Sequence, residues 1–276
     1  MLNQTPVYVH SAAYQVDFCH FTCSKRGRAM KLLYICVKEK KNGENMTQQP
    51  NLKLVYFKMR ALAEAPQLLM HYAGLSYDYS MSWEYFDAPW PEVKPTVMFK
   101  QLPILVVDDQ HVIAQSSAIL RYLNGLAGLT PENPIEAARC DAILEAAQEM
   151  FAPLNPTMNF ATGDDFEQKK QAMLPMLKSK CDDFERLLAA QGEGPFFSGA
   201  KPMHCDFAVY HHISMAQRMH PGILQDFPGL QGLLEATSSI PAIQSYLAAR
   251  PELTGVGTKP QLVINGVPVP TGLTPP

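Results

Sequence analysis

The chain of 276 residues has no run of 18 or more apolar residues, so no segment reads as a membrane-spanning helix. It also has no basic excess. The formal net charge is −3, which gives no electrostatic reason to expect nucleic acid as a partner. Cysteines are few and scattered: Cys19, Cys23, Cys36, Cys140, Cys181 and Cys205. That pattern excludes a disulfide scaffold and predicts a reduced, cytoplasmic setting. Apolar residues make up 47% of the chain, enough for a sizeable core. The length suits one large domain or two small ones.

Charge is unevenly spread. Residues 1–50 hold seven basic and three acidic side chains, whereas the rest holds 16 and 23. This shift predicts a boundary near residue 50, with 1–50 an irregular N-terminal extension. A basic targeting peptide within 1–50 fits poorly with Asp17 and with the polar stretch 38–49. Met46 offers an alternative start for the compact part. Cys19, His20 and Cys23 lack a second ligand pair, so no metal is expected there.

From residue 52 the pattern tightens. Residues 53–57 (Lys-Leu-Val-Tyr-Phe) read as a strand. Residues 61–74 read as a helix closed by Gly74. Residues 76–81 alternate as a second strand, and 82–100 read as loop. Residues 104–107 and 111–114 flank Asp108-Asp109-Gln110, a hairpin signal. Residues 116–126 form a helix with Ser116 as its cap. The order β-α-β-β-β-α spans the first domain, 51–127. Five helices, over 135–151, 166–190, 204–219, 229–237 and 242–249, then predict an all-helical domain over 131–253. Residues 254–276 are expected to be an irregular tail.

Chemistry concentrates at element junctions. Tyr56 ends the first strand just before a helix, where its hydroxyl can donate to an anion. For a thiol, such a bond lowers the pKa and raises the thiolate fraction. The plainer alternative is a strand tyrosine packed for its ring. Pro103 follows Gln101-Leu102; a cis bond would leave the Leu102 backbone free to pair with an extended ligand, while a trans proline at a strand start is the ordinary reading. Gln115-Ser116 open a helix whose free N–H groups can hold a carboxylate, or simply cap it. Trp90 and Lys94 offer an indole N–H and an ammonium for a second carboxylate.

Taken in order, these phrases resemble the cytosolic glutathione S-transferases of the tyrosine type, nearest the sigma class. The likeness covers about residues 51–253 and includes residues 63–64 (Ala-Glu), 115–123, Asp206-Phe207 and 240–242 (Ile-Pro-Ala). It implies a thioredoxin-like N-terminal domain, a helical-bundle C-terminal domain and a homodimer. It implies glutathione as co-substrate and no metal. Tyr56 would stabilise the glutathione thiolate. Leu102, before a cis Pro103, would pair with the cysteinyl backbone. Gln115 and Ser116 would hold the γ-glutamyl carboxylate. Trp90 and Lys94, with Gln101 close by, would reach the glycine carboxylate. Glu149 of a partner subunit would meet the γ-glutamyl amine.

Two departures stand out. The family's Arg-Gly-Arg after the tyrosine is Arg60-Ala61-Leu62 here, so the second arginine is missing. The Ser or Thr that caps a late helix is Met203. The resulting expectation is a glutathione transferase acting on a small electrophile, with detoxification as the role. The alternatives are a glutathione-dependent isomerase of the prostaglandin-D-synthase kind, and a non-catalytic crystallin-like or ligand-binding member of the fold. The electrophile is expected to sit between Tyr56, the loop after it (Lys58, Met59) and the helix around Met150, Phe151, Leu154 and Met158, although Met and Phe at helical spacing are more often core.

Overall fold

The structure, a computed structural model, describes the backbone of residues 14–25 and 28–39, and residues 49–275 throughout. The chain divides into two compact units, Met1–Gln48 and Gln49–Pro276. In the first, β1 (Tyr14–Lys25) pairs antiparallel with β2 (Arg28–Glu39). An irregular extension is therefore the wrong description of these two stretches. Both are dense in the aromatic and β-branched residues that strand pairing favours, such as Val16, Phe18, Tyr34 and Ile35. The side chains of Cys19, His20 and Cys23, and the possible start at Met46, lie outside the described residues.

The second unit opens with β3 (Leu52–Tyr56), α1 (Glu64–Ala73) and β4 (Asp78–Met81). Two short helices follow, α2 (Ser82–Phe86) and α3 (Trp90–Val93), then single 3-10 turns at Lys94–Thr96 and Met98–Lys100. β5 (Ile104–Val107), β6 (His111–Ala114) and α4 (Ser116–Leu126) complete the domain. The sheet order is β4-β3-β5-β6, with β3 parallel to β4 and antiparallel to β5. This is the expected thioredoxin-like arrangement. Leu54 and Leu105 from the sheet are fully buried, with Leu68 and Leu69 of α1 and Ile119, Leu120 and Leu123 of α4. Gly74 ends α1 at φ 66°, where its N–H donates to the carbonyls of Met70 and His71, a conformation that costs glycine little.

The helical domain contains α5 (Pro134–Phe160), α6 (Gly163–Gln191), α7 (His204–Met219), α8 (Pro228–Ser239) and α9 (Pro241–Ala249). α5 runs nine residues beyond the predicted end, through Pro153 and Pro156. Its buried face (Met150, Phe151, Leu154, Met158) repeats at helical spacing and holds it together across the prolines. The two domains are tied by Arg121 of α4, which donates to Asp141 at 2.8 Å and Glu145 at 2.7 Å on α5. His204 of α7 also meets Asp141, at 2.9 Å.

The tail is not irregular. β7 (Glu252–Thr254), β8 (Gln261–Ile264) and β9 (Val267–Pro270) form an antiparallel sheet of three strands. Asn265 and Gly266 turn β8 into β9 with φ of 51° and 79°. Both are positive, the signature of the tight turn that Asn-Gly selects. That dipeptide is the signal which sequence reading passed over.

α7 starts without a side-chain cap at Met203. Asp206 covers part of the deficit: Oδ2 accepts from the Met203 N–H at 2.8 Å and Oδ1 from the Phe197 N–H at 2.9 Å. Burial pushes this carboxyl up to about 7, against the pull of those N–H groups. Met203→Thr adds an oxygen acceptor at the cap, where such a group is worth about 0.5–2 kcal/mol. A rise in Tm of roughly 2–4 °C per kcal/mol is expected for a domain of this size. A melting curve unchanged from wild type would mean that Asp206 alone satisfies the helix start.

Candidate active site

Tyr56 stands at the carboxyl end of β3, almost fully buried at 3% exposure. Phe57 packs edge-on against Trp90, with ring centroids 5.1 Å apart at 78°. This contact anchors the loop holding α3 to the end of β3. Lys94 follows Trp90 by four residues, one helical turn, so the two share a face. The Leu102–Pro103 peptide is cis. Sheet pairing begins only at Ile104, so Leu102 lies outside the ladder.

The start of α4 differs from expectation in one respect. The cap position is Gln115, not Ser116, and Gln115 adopts φ 72°. A non-glycine residue there is strained, a feature that clusters at functional sites. No side chain caps α4, so its first N–H groups remain available to an anion. Gln115 Nε2 donates to Gln101 Oε1 at 3.2 Å, which brings two expected site residues into contact.

Tyr56, Trp90, Lys94, Gln101, Leu102, Pro103, Gln115 and Ser116 all line one cleft of about 270 Å³. Its charged lining residues are Lys94 and Lys100, and none is acidic. Two ammonium groups and an uncapped helix start give this cleft the positive charge and free N–H donors that suit carboxylates. Glu149 is not brought to it. It stands exposed on α5, where its carboxylate accepts from Lys180 at 2.7 Å.

Burial raises the Tyr56 phenol well above its ordinary value, and the backbone N–H of Leu62 beside its oxygen opposes that shift. The hydroxyl therefore stays protonated at neutral pH and is able to donate. The side chain at position 62 is leucine, so what position 62 sets near the phenol is its main-chain N–H and not a guanidinium.

For the apolar half of the cleft, the plainer of the two readings holds. Met150, Phe151, Leu154 and Met158 are at most 1% exposed and belong to the core. The cleft is walled by the expected Met59 and by Leu62, Asn155, Phe160 and Leu273. Asn155 and Phe160 lie on the proline-bearing end of α5, which the helix signal did not reach. Leu273 comes from beyond β9. Gly272 donates its N–H to the Lys58 carbonyl at 3.1 Å, and Thr271 Oγ1 donates to the Asn159 carbonyl at 2.6 Å. These bonds hold the tail against the β3–α1 turn and the end of α5. Among the described residues, no group of three His, Cys, Asp or Glu side chains is placed to hold a metal.

Fold and cleft together define a two-domain protein: a thioredoxin-like domain with a carboxylate-receiving cleft, completed by helices. Residues 52–125 match the glutathione S-transferase N-terminal domain family, and residues 152–250 match the glutathione S-transferase C-terminal domain family. "Glutathione S-transferase 1" of Ascaris suum is 31% identical over 74% of this chain and 98% of its own. "Hematopoietic prostaglandin D synthase" of Gallus gallus is 32% identical, with the same two coverages. A solved glutathione S-transferase from Caenorhabditis elegans superposes with a TM-score of 0.63 at 28% identity, covering 74% of this chain and all of that one. The chain belongs to the glutathione S-transferase family. It is a transferase, and its family uses glutathione as co-substrate.

The family matches end at residue 250, so the wall containing Leu273 lies outside the matched segments. Ending the chain at Thr271 removes Leu273 and the Gly272–Lys58 bond while keeping Thr271 in place. The KM for an apolar electrophile such as chloro-dinitrobenzene is expected to rise about fivefold, the equivalent of roughly 1 kcal/mol of lost apolar contact. Glutathione affinity is expected to stay within twofold. An unchanged electrophile KM would remove the tail from the substrate wall.

Proposed function

We propose that this protein is a tyrosine-type glutathione transferase, nearest the sigma class, which joins the glutathione thiolate to small electrophiles. The observation that carries the reading is the convergence of seven expected residues with a protonated Tyr56 on one positively charged cleft. In this reading the glycine carboxylate of glutathione lies by Trp90 and Lys94, with Gln101 near. The cysteinyl backbone pairs with Leu102 at cis Pro103. The γ-glutamyl carboxylate takes Ser116, Gln115 and the free N–H groups of α4.

The thiol then points at Tyr56. A hydrogen bond from the phenol favours the thiolate over the thiol. The sulfur forms a C–S bond to the electrophilic carbon, and the leaving group departs with the electron pair of its broken bond. Neither metal nor redox change enters this sequence. In a homodimer, Glu149 of the partner subunit reaches the γ-glutamyl amine. The Glu149–Lys180 pair is exposed and worth little, so exchanging it for that contact costs little. A detoxifying enzyme of the cytoplasm fits this chemistry.

Two other readings follow from particular observations. The likeness to a prostaglandin D synthase supports an isomerase that returns glutathione unchanged. The missing arginine at Leu62 supports a non-catalytic binder, although the Leu62 N–H beside the phenol weighs against it.

Turnover of chloro-dinitrobenzene by wild type and by Tyr56→Phe separates these readings. The lost bond is charge-assisted and worth about 1.5–3 kcal/mol, so kcat/KM is expected to fall roughly 10- to 100-fold at pH 6.5. Removing a donor to the thiolate raises the thiol pKa. The pH–rate profile of the variant is therefore expected to move upward by about one to two units. Wild type that binds glutathione yet turns over no electrophile would sink the transferase assignment.

A further inference from the structure

The electrophile side of the cleft is apolar except at one point. Phe160 of α5, Leu273 of the tail, and Met59 and Leu62 of the β3–α1 turn present only hydrocarbon or thioether. Among the described residues, Asn155 is the one polar side chain that the helical domain puts into the cleft. An amide in such a wall is costly unless a partner is provided for it.

The orientation of that amide is fixed by its neighbours. One turn along α5, Asn159 Nδ2 faces three oxygens: the Asn155 carbonyl at 3.1 Å, Asn155 Oδ1 at 3.0 Å and the Arg60 carbonyl at 3.5 Å. Main-chain carbonyls only accept, so the nitrogen of Asn159, and not its oxygen, has to face them. The cost is visible, because Asn159 Oδ1 is buried without a hydrogen-bond partner. Asn155 therefore has to present its own oxygen to Asn159. Its Nδ2 is left with two N–H groups and, among the described residues, no acceptor.

The free donor and the nucleophile share one support. The Arg60 carbonyl belongs to the same turn as Leu62, whose N–H stands beside the Tyr56 oxygen. Asn155 is thus tied to the corner where the sulfur is held. A donor placed there does little for an electrophile without an acceptor oxygen. It does most for one whose oxygen gains charge as the sulfur attacks, because the bond then strengthens in the transition state.

We infer that Asn155 is the specificity-determining residue for the electrophile, and that its free amide N–H selects α,β-unsaturated aldehydes and ketones. The inference rests on the transferase reading above. The thiolate sulfur forms a C–S bond to the β-carbon, and the electron pair of the C=C bond moves toward the carbonyl. The resulting enolate oxygen accepts from Asn155 Nδ2. Water then protonates the α-carbon, which replaces the proton given up by the thiol, and no group leaves.

The test compares trans-2-nonenal with benzyl chloride, an apolar electrophile with no acceptor oxygen, both at saturating glutathione. Asn155→Leu removes the donor and leaves Asn159 its two main-chain carbonyls. Its kcat/KM for trans-2-nonenal is expected to fall about 10- to 100-fold. Its kcat/KM for benzyl chloride and its KM for glutathione are expected to stay within twofold. Asn155→Asp keeps the oxygen that Asn159 needs and exchanges the N–H groups for a second oxygen. Its loss with trans-2-nonenal is expected to exceed its loss with benzyl chloride at least tenfold, and it decides the matter if Asn155→Leu fails to fold by circular dichroism. Equal losses for the two electrophiles, or no loss with trans-2-nonenal, in a folded variant would overturn this inference and leave the transferase reading in place. Wild type that binds glutathione yet turns over neither electrophile would overturn both.

Discussion

The turn between β3 and α1, residues 57–63, has to satisfy several surfaces at once, and the site depends on its doing so. Phe57 holds Trp90 in place through an edge-to-face contact. Lys58 pairs through its carbonyl with Gly272 of the tail. The Arg60 carbonyl accepts from Asn159 of α5, and its guanidinium reaches Pro251. The Leu62 N–H stands beside the Tyr56 oxygen. A loop is normally the mobile part of a fold. This one is fixed by hydrogen bonds from three different elements, so Tyr56 presents its hydroxyl at a defined point.

Charge divides the work on either side of that turn. The glutathione cleft gathers Lys94, Lys100 and the free N–H groups of α4, a distribution suited to the two ends of a peptide dianion. The opposite side gathers guanidinium groups around Glu64. The net charge of −3 says nothing of either, because both concentrations arise from residues distant in sequence. The helical domain contributes rigidity more than chemistry. Phe151 stacks on His212 with centroids 4.1 Å apart, and His212, which bonds the Ala147 carbonyl at 3.0 Å, is held neutral by burial.

The readable features were those in which local backbone chemistry and side-chain type coincide. The run 53–57 is β-rich and forms β3; Gly74 ends α1 in the left-handed region; Asp108-Asp109 turns β5 into β6. Misreadings arose where the local signal was faint or absent. Residues 82–100 look like loop because their helices are only five and four residues long, too short for a hydrophobic period to register. The predicted helix ends at 151, ahead of Pro153 and Pro156, yet α5 continues because burial of Leu154 and Met158 outweighs the lost backbone bonds.

By itself, the sequence determined the order of the main elements over 51–253, the family likeness and eight of the 15 residues that line the cleft. Those follow from spacing at strand and helix ends, which short-range geometry dictates. Only the tertiary structure decided that Leu273, Asn155 and Phe160, rather than Met150 and Phe151, face the cleft. It alone set the main chain of Leu62 near the Tyr56 phenol and brought the buried Arg60 guanidinium to the Pro251 carbonyl. Contacts between residues 58 and 272, or 60 and 251, join segments about 200 positions apart. No local pattern encodes them, because they exist only once two domains and the tail have packed on the same turn.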